Sequence, residues 1–412
     1  MSILLSLSVA IFAGLMLTRL LNRWRLPDVT AYLIAGVLIG PCLLGRLGVP
    51  GIGFDSYAGL KDLGLISDVA LGFIAFSIGH EFRVAQLKET GRQAVAVGVL
   101  QAVVTAIFVD LALFLFHALR PDVLSIPAAI TLGAIAAATA PAATLMVVRQ
   151  YKAKGPLVDL LLPIVALDDA VGLALFAVSF GVAKALTSGT VDFYTIVVNP
   201  ILEIVGSLLL GALAGWLLTK LEKLFHSNRN RVAMTIGFIF LTVALSKLSF
   251  PVGALTQSFS PLLVCMMLGS VFCNLCPLSD EIMNRADKWS SPLMVLFFVL
   301  SGAELELGVI TQPASALVGA VYILSRSFGK YFGARESSRM AGCAPKIVKY
   351  LGITLLPQAG VALGMCVTAA ELPGDGALIR NIVLFAVLVY ELVGPVLTKW
   401  ALTRAGDITP KA

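Results

Sequence analysis

Charge is what this chain lacks. Only 13% of its 412 residues are Asp, Glu, Lys or Arg, against 58% that are hydrophobic. A water-soluble fold cannot bury that much apolar surface, so soluble classes are excluded and the chain reads as membrane-embedded. Histidine is scarce as well. His80, His117 and His226 are the only three, each near the end of an apolar run, and they give no basis for a metal centre. Six cysteines are scattered, and the one CxxC, Cys273 and Cys276, has no second pair to complete a zinc site. These two read as reduced thiols at a cytoplasmic helix end. The links between apolar runs are short, which leaves no room for a second soluble domain. A basic leader and a small-residue cleavage site are missing before Arg19, so the N-terminus reads as an uncleaved first helix. No cofactor is expected.

What the chain has is apolar runs of membrane-spanning length, for which roughly 20 residues are needed. They fall at about 3–21, 29–48, 63–80, 93–118, 127–148, 157–186, 194–219, 232–250, 252–272, 290–310, 313–334, 346–370 and 378–402. The expected fold is therefore all-α and polytopic, with thirteen transmembrane helices. Of the 30 Lys and Arg residues, 22 fall in one alternating set of loops and six in the other. The positive-inside rule puts the richer set in the cytoplasm, with the N-terminus outside and the C-terminus inside. The net charge of +6 is this bias and calls for no nucleic-acid partner.

Thirteen is six, one and six, and the two sixes share features. Gly79-x-Glu81 in the third segment matches Gly302-x-Glu304 in the tenth. Pro141 in the fifth matches Pro357 in the twelfth. Asp169-x-x-Gly172 in the sixth matches Glu391-x-x-Gly394 in the thirteenth. Each pair lies about 220 residues apart. An odd helix between the halves inverts the second, the plan of many secondary transporters. A proline in mid-membrane removes a backbone donor and blocks the preceding turn. Lipid cannot satisfy the freed carbonyls, so such breaks persist only inside protein or beside a water-filled cavity. Segments 5 and 12 are expected to be two crossed broken helices. Thr139, Ala140, Pro141 and Thr144 lie at the first break, and Pro357, Gln358, Gly360 and Gly364 at the second.

Two acids, Asp168 and Asp169, sit side by side in "LLPIVALDDAVGLALF" near the middle of segment 6. An intramembrane acid is costly and points to function. Adjacent helical residues differ by about 100° in direction, so the two face different neighbours. Burial and mutual repulsion favour the neutral form of a carboxyl, which suits exchange of a proton for a small cation. Carboxylate oxygen is also a hard ligand suited to Na+. In segment 11, Arg326 and Lys330 are four apart and share a helix face. Lys330 either snorkels to the cytoplasmic surface or pairs with Asp168. Glu391 is a further mid-helix acid. Asp110 and Glu203 are intramembrane by position and are candidates to pair with Arg326 or to line a cavity. Glu81 and Glu304 fall near helix ends and read as solvated.

The stretches "LPDVTAYLIAGVLIGP" at 26–41, "FIAFSIGHEF" at 73–82, "ATAPAATLMVV" at 138–148, "LDDAVGL" at 167–173, "FFVLSGAEL" at 297–305, "GKYFGARESSRM" at 329–340 and "LPQAGVALGM" at 356–365 resemble one family in order and spacing. It is the bacterial monovalent cation:proton antiporters of the sodium/proton exchanger superfamily, in the thirteen-helix branch related to glutathione-regulated potassium efflux proteins. The resemblance implies a homodimer in the inner membrane. Residues 93–186 and 313–402 would form an ion-translocating core that moves like an elevator. Residues 1–80 and 232–310 would form a dimerisation scaffold, with 194–219 as linker helix and 403–412 as a short cytoplasmic tail. Asp169 would be the ion ligand, Asp168 the partner of Lys330, and Thr139 a source of oxygen. The Asp–Asp pair implies electrogenic exchange of Na+, with Li+ as a further substrate, for H+. The potassium efflux proteins continue into a nucleotide-binding domain. The sequence here runs to Ala412, and no such gate is expected.

Three other functions compete. K+/H+ exchange, or Na+ against H+ and K+, differs only in the size of an oxygen cage. An organic-anion/Na+ symporter would use a related crossed-helix core but a wider polar lining. An intramembrane aspartyl protease needs acids facing each other from separate helices, whereas this pair is adjacent on one, with Gly374-Asp375-Gly376 in a loop.

Overall fold

A computed structural model describes residues 3–24, 26–47, 53–61, 63–80, 83–188, 199–248, 250–252, 255–257, 259–304, 313–359, 361–370 and 372–408. Glu81, Gly360 and the end of the expected tail, 409–412, lie outside them. The helices are α1 (Ile3–Leu21), α2 (Asp28–Ile39), α3 (Tyr57–Lys61), α4 (Gly64–His80), α5 (Val84–Leu119), α6 (Ile126–Ala136), α7 (Pro141–Gln150), α8 (Pro156–Ser188), α9 (Asn199–Glu222) and α10 (Asn228–Ser246). After them come α11 (Pro261–Leu275), α12 (Ser279–Ala303), α13 (Pro313–Met340), α14 (Pro345–Thr354), α15 (Val361–Ala369) and α16 (Gly376–Ala405). Among the described residues, seven helical spans are long and apolar enough to cross a membrane, and α4 and α11 are shorter apolar helices.

Two details depart from the all-α expectation and from the expected ends. A two-stranded antiparallel ribbon, β1 (Phe250–Val252) with β2 (Leu255–Gln257), pairs Pro251 with Thr256. The helix expected from 252 therefore starts only at Pro261, where Ser260 accepts from the Leu263 amide and proline takes the first helical position. Elsewhere helices outrun the apolar runs. α5 begins at Val84, α12 at Ser279, and α13 continues to Met340. These extensions are polar helix, which hydropathy does not register.

The chain divides into two compact units: 1–20, 32–89 and 201–304; and 21–31, 90–200 and 305–412. The first is knit by glycines at helix crossings. A Cβ on Gly79 of α4 would sit 1.9 Å from the Met266 carbonyl of α11, and one on Gly269 of α11 would sit 2.1 Å from the Phe76 carbonyl. The second crossing repeats the device: Gly302 of α12 against the Leu33 carbonyl at 2.2 Å, and Gly36 of α2 against the Val299 carbonyl at 2.0 Å. Gly79 and Gly302 thus serve close helix approach, in which backbones touch because no side chain intervenes. The buried Cys276 thiol donates to Glu222 at 2.8 Å, and Arg231 lies 3.4 Å from the same carboxylate.

The second unit holds α5 to α8 and α13 to α16. Its core is the stretch where α6 gives way to α7 and α14 to α15. At one end of this unit the segment after α16 caps α8. Gly406 closes α16 in the left-handed conformation. Asp407 then accepts from the Val158 amide at 2.9 Å, and its carbonyl accepts from the Lys154 amide at 2.9 Å.

Candidate ion-exchange site

Both proline-bearing segments are interrupted rather than kinked. α6 ends at Ala136. Ala140 is extended, the conformation favoured before proline, and Pro141 opens α7. α14 ends at Thr354, and α15 begins only at Val361, with Pro357 between. The two breaks touch: the Ala140 amide donates to the Pro357 carbonyl at 2.8 Å.

A helix end frees carbonyls that lipid cannot satisfy. Here side chains meet them. Arg326 donates from Nε to Ala136 O at 2.9 Å, from Nη2 to Ala138 O at 2.7 Å and from Nη1 to Leu356 O at 2.7 Å. Its guanidinium lies 4.4 Å from the Tyr390 ring centre. Gln358 donates to Ile135 O at 3.0 Å and to the Tyr322 hydroxyl oxygen at 2.9 Å. Lys330 donates to Ala137 O at 2.6 Å. Arg326 thus ties both breaks together through main-chain oxygens. Asp110 and Glu203 were candidates to pair with Arg326 or to line a cavity; among the described residues no carboxylate pairs with Arg326, so the first alternative falls. Asp110 instead lies against Gly133, with Oδ1 buried and unpartnered.

Lys330 is fully buried, which removes the snorkelling alternative. Its ammonium has three acceptors: Ala137 O, Asp168 Oδ2 at 2.9 Å and Gln101 Oε1 at 3.0 Å. Asp168 is as fully engaged. Oδ2 accepts from Lys330 and from the Thr139 hydroxyl at 2.6 Å, and Oδ1 accepts from Gln101 Nε2. The Thr139 hydroxyl also lies 3.4 Å from Leu355 O, but it has one proton, and the shorter contact to a charged acceptor takes it.

Asp169 is the opposite case. It is fully buried, and neither Oδ1 nor Oδ2 has a hydrogen-bond partner among the described residues. Glu391 on α16 is also buried, with Oε1 unpartnered among the described residues. The helices that carry the two acids meet the two breaks alike. Gly172, three beyond Asp169, faces Ala138 of the first break, and Gly394, three beyond Glu391, faces Pro357 of the second. Glu304 is exposed at the end of α12. In the loop before α16, Asp375 accepts from the Ser125 hydroxyl at 2.5 Å.

Sequence reasoning missed Gln101. Its only signal was one amide inside the apolar run of α5, and nothing in that run marks where it points. It also missed Tyr322 and Tyr390, which steady Gln358 and Arg326.

Four comparisons bear on this arrangement. Residues 7–404 match the family described as sodium/hydrogen exchanger, transmembrane. The Na(+)/H(+) antiporter NhaS4 of Synechocystis sp. is 26% identical over 368 residues, which is 85% of each chain. The structure of the sodium proton antiporter MjNhaP1 from Methanocaldococcus jannaschii at pH 8 aligns with a TM-score of 0.71 at 18% identity, covering 98% of both chains. A second structure of that protein, from electron microscopy, aligns at 0.74 over 100% of both, at 18% identity. The structural likeness carries the multi-pass membrane fold. With a family match spanning nearly its whole length, the chain belongs to the sodium/hydrogen exchanger family, a family of membrane transporters rather than enzymes.

Proposed function

We propose that this protein is a secondary active antiporter of the inner membrane that exchanges Na+, and Li+, for H+ electrogenically. One observation carries the proposal: Asp169 is fully buried with both carboxylate oxygens unpartnered among the described residues, next to an Asp168 whose oxygens are both engaged. An unpartnered buried carboxylate is stable only with a proton or a cation on it. One group that holds either, and never both, is sufficient for coupled exchange. Asp168, held by Lys330, Thr139 and Gln101, keeps its place while Asp169 changes occupant. Thr139 lends oxygen nearby, and the crossing of Ala140, Pro141, Pro357 and Gln358 frames the site.

Cation arrival turns the Lys330–Asp168 pair into the second proton-linked element. A lysine amine can release its proton, which a guanidinium does not, and Arg326 is reserved for the carbonyls of the breaks. Every one of these groups lies in the second unit. This supports elevator-type access, in which that unit carries the ion as one body while the first unit, as scaffold, forms the homodimer in lipid. The proposed topology has thirteen crossings in two inverted six-helix repeats, N-terminus outside and C-terminus cytoplasmic. It is supported by the lysine and arginine bias, by the reciprocal glycine crossings α4–α11 and α12–α2, and by the matched settings of Asp169 and Glu391.

The test is transport by purified protein in liposomes, read with a pH dye against Li+, Na+ and K+. Na+- or Li+-driven proton movement is expected, and its rate should respond to a clamped membrane voltage. Asp169→Asn should abolish it while the unfolding temperature stays near wild type. Silence of the wild type toward all three ions removes the exchange reading. A K+ response alone replaces the selectivity. Wild-type turnover in Asp169→Asn removes that residue from the ion site.

A further inference from the structure

Gln101 is fully buried in α5, and all its polar atoms are used. Nε2 donates to Asp168 Oδ1 and to Gly98 O at 3.0 Å, and Oε1 accepts from Lys330 Nζ at 3.0 Å. Chemistry fixes this orientation. Turned over, the amide would point N–H groups at an ammonium and its oxygen at a carboxylate. Glycines on α13 deliver it there. In Gly329-Lys330-Tyr331-Phe332-Gly333, a Cβ on Gly329 would come within 3.0 Å of Thr105 Cα, and one on Gly333 within 3.0 Å of Gln101 O. This small-xxx-small face lets α5 approach α13 at backbone distance. Without that approach, the amide would not reach both members of the ion pair.

We infer that Gln101 is a positioning residue that sets cation selectivity, by occupying the one oxygen of Asp168 that Lys330 and Thr139 leave open. The inference rests on the exchange function proposed above. Asp168 and Asp169 together carry four carboxylate oxygens. Oδ2 of Asp168 is taken twice, by Lys330 and Thr139. Oδ1 has Gln101 alone. With Gln101 in place, the cation meets the two oxygens of Asp169. With Gln101 removed, Oδ1 of Asp168 loses its donor and is left open to a cation as well. A hard cation binds more tightly to more carboxylate oxygens. It also becomes harder for a proton to displace. A monovalent cation that must be released every cycle is better served by the smaller set, so the amide keeps affinity low and turnover high.

The experiment measures exchange kinetics of Gln101→Met, which keeps length and volume but no hydrogen bond, for Li+, Na+ and K+. The KM for the transported cation is expected to fall about three- to tenfold, with kcat falling too and the Li+:Na+:K+ ranking altered. Gly333→Ala, which presses on the Gln101 main chain and moves α5 outward while leaving the side-chain amide intact, should give the same change in weaker form and remains informative if Gln101→Met does not fold. A lower kcat with unchanged KM and unchanged ion ranking in a folded variant overturns the inference and leaves Gln101 as packing. Failure of the exchange reading shows separately, as absence of cation-driven proton movement in the wild type.

Discussion

Replacing Arg326 with methionine should loosen the crossing of the two breaks more than any loss of bulk would suggest. Methionine fills much of the space but donates nothing, so the carbonyls of Ala136, Ala138 and Leu356 lose their partner at once. Interhelical hydrogen bonds in membrane proteins are worth roughly 0.6 to 1.7 kcal/mol each, because the unfolded state in lipid also finds partners. Three such bonds give about 2 to 5 kcal/mol. The stacking on Tyr390 at 4.4 Å adds on the order of 1 kcal/mol. The total is about 3 to 6 kcal/mol, and at about 2 to 4 °C per kcal/mol for a unit of this size the midpoint falls by roughly 6 to 24 °C. The assay is thermal unfolding in detergent with methionine and lysine variants side by side. Lysine restores the charge but lacks the planar fork that reaches three carbonyls, so Arg326→Lys should recover less than half of the loss. A methionine variant that melts within about 2 °C of wild type would refute the reasoning. The breaks would then hold each other through Ala140 and Pro357 alone.

Two further outcomes follow from the same geometry. Lys330→Ala strips Asp168 of its charged partner, and the expected result is a folded protein whose exchange no longer responds to membrane voltage as wild type does; an unchanged voltage response under clamp would show that the pair takes no part in coupling. Asp407→Ala removes the acceptor for the Val158 amide at the start of α8, which should cost about 0.5–2 kcal/mol in thermal unfolding, while Asp407→Asn keeps an oxygen there and should cost less.

Much of the candidate site was legible in the sequence, for reasons that lie in the bilayer. Asp168 and Asp169 stood out because acids in an apolar run carry a cost that must be answered. Pro141 and Pro357 stood out because they fall at matched positions of the two halves; a proline alone does not mark a break, since Pro163, Pro292 and Pro395 sit inside continuous α8, α12 and α16. The partners of Arg326 were left open between a carboxylate and other groups, for an equally physical reason. Every residue carries a carbonyl, so no sequence pattern marks which ones a guanidinium will meet. A carboxylate such as Asp110 looks like the better partner until the breaks are seen to offer three oxygens in one place. Helix ends were misjudged where polar turns continue α5, α12 and α13, because hydropathy measures the environment of a helix and not its hydrogen bonds.

By itself the sequence determined the membrane class, the positions of the apolar runs, the two interruption points and the acid pair, because lipid restricts composition and backbone so tightly that few readings survive. Tertiary structure alone decided that Lys330 lies inside and is paired, that Arg326 serves backbone rather than acid, that Gln101 completes the pair, and that both oxygens of Asp169 lack a partner among the described residues. Those outcomes depend on how closely helices approach, down to the glycine contacts of α13 on α5. Such distances are set by packing in three dimensions, and no one-dimensional pattern records them.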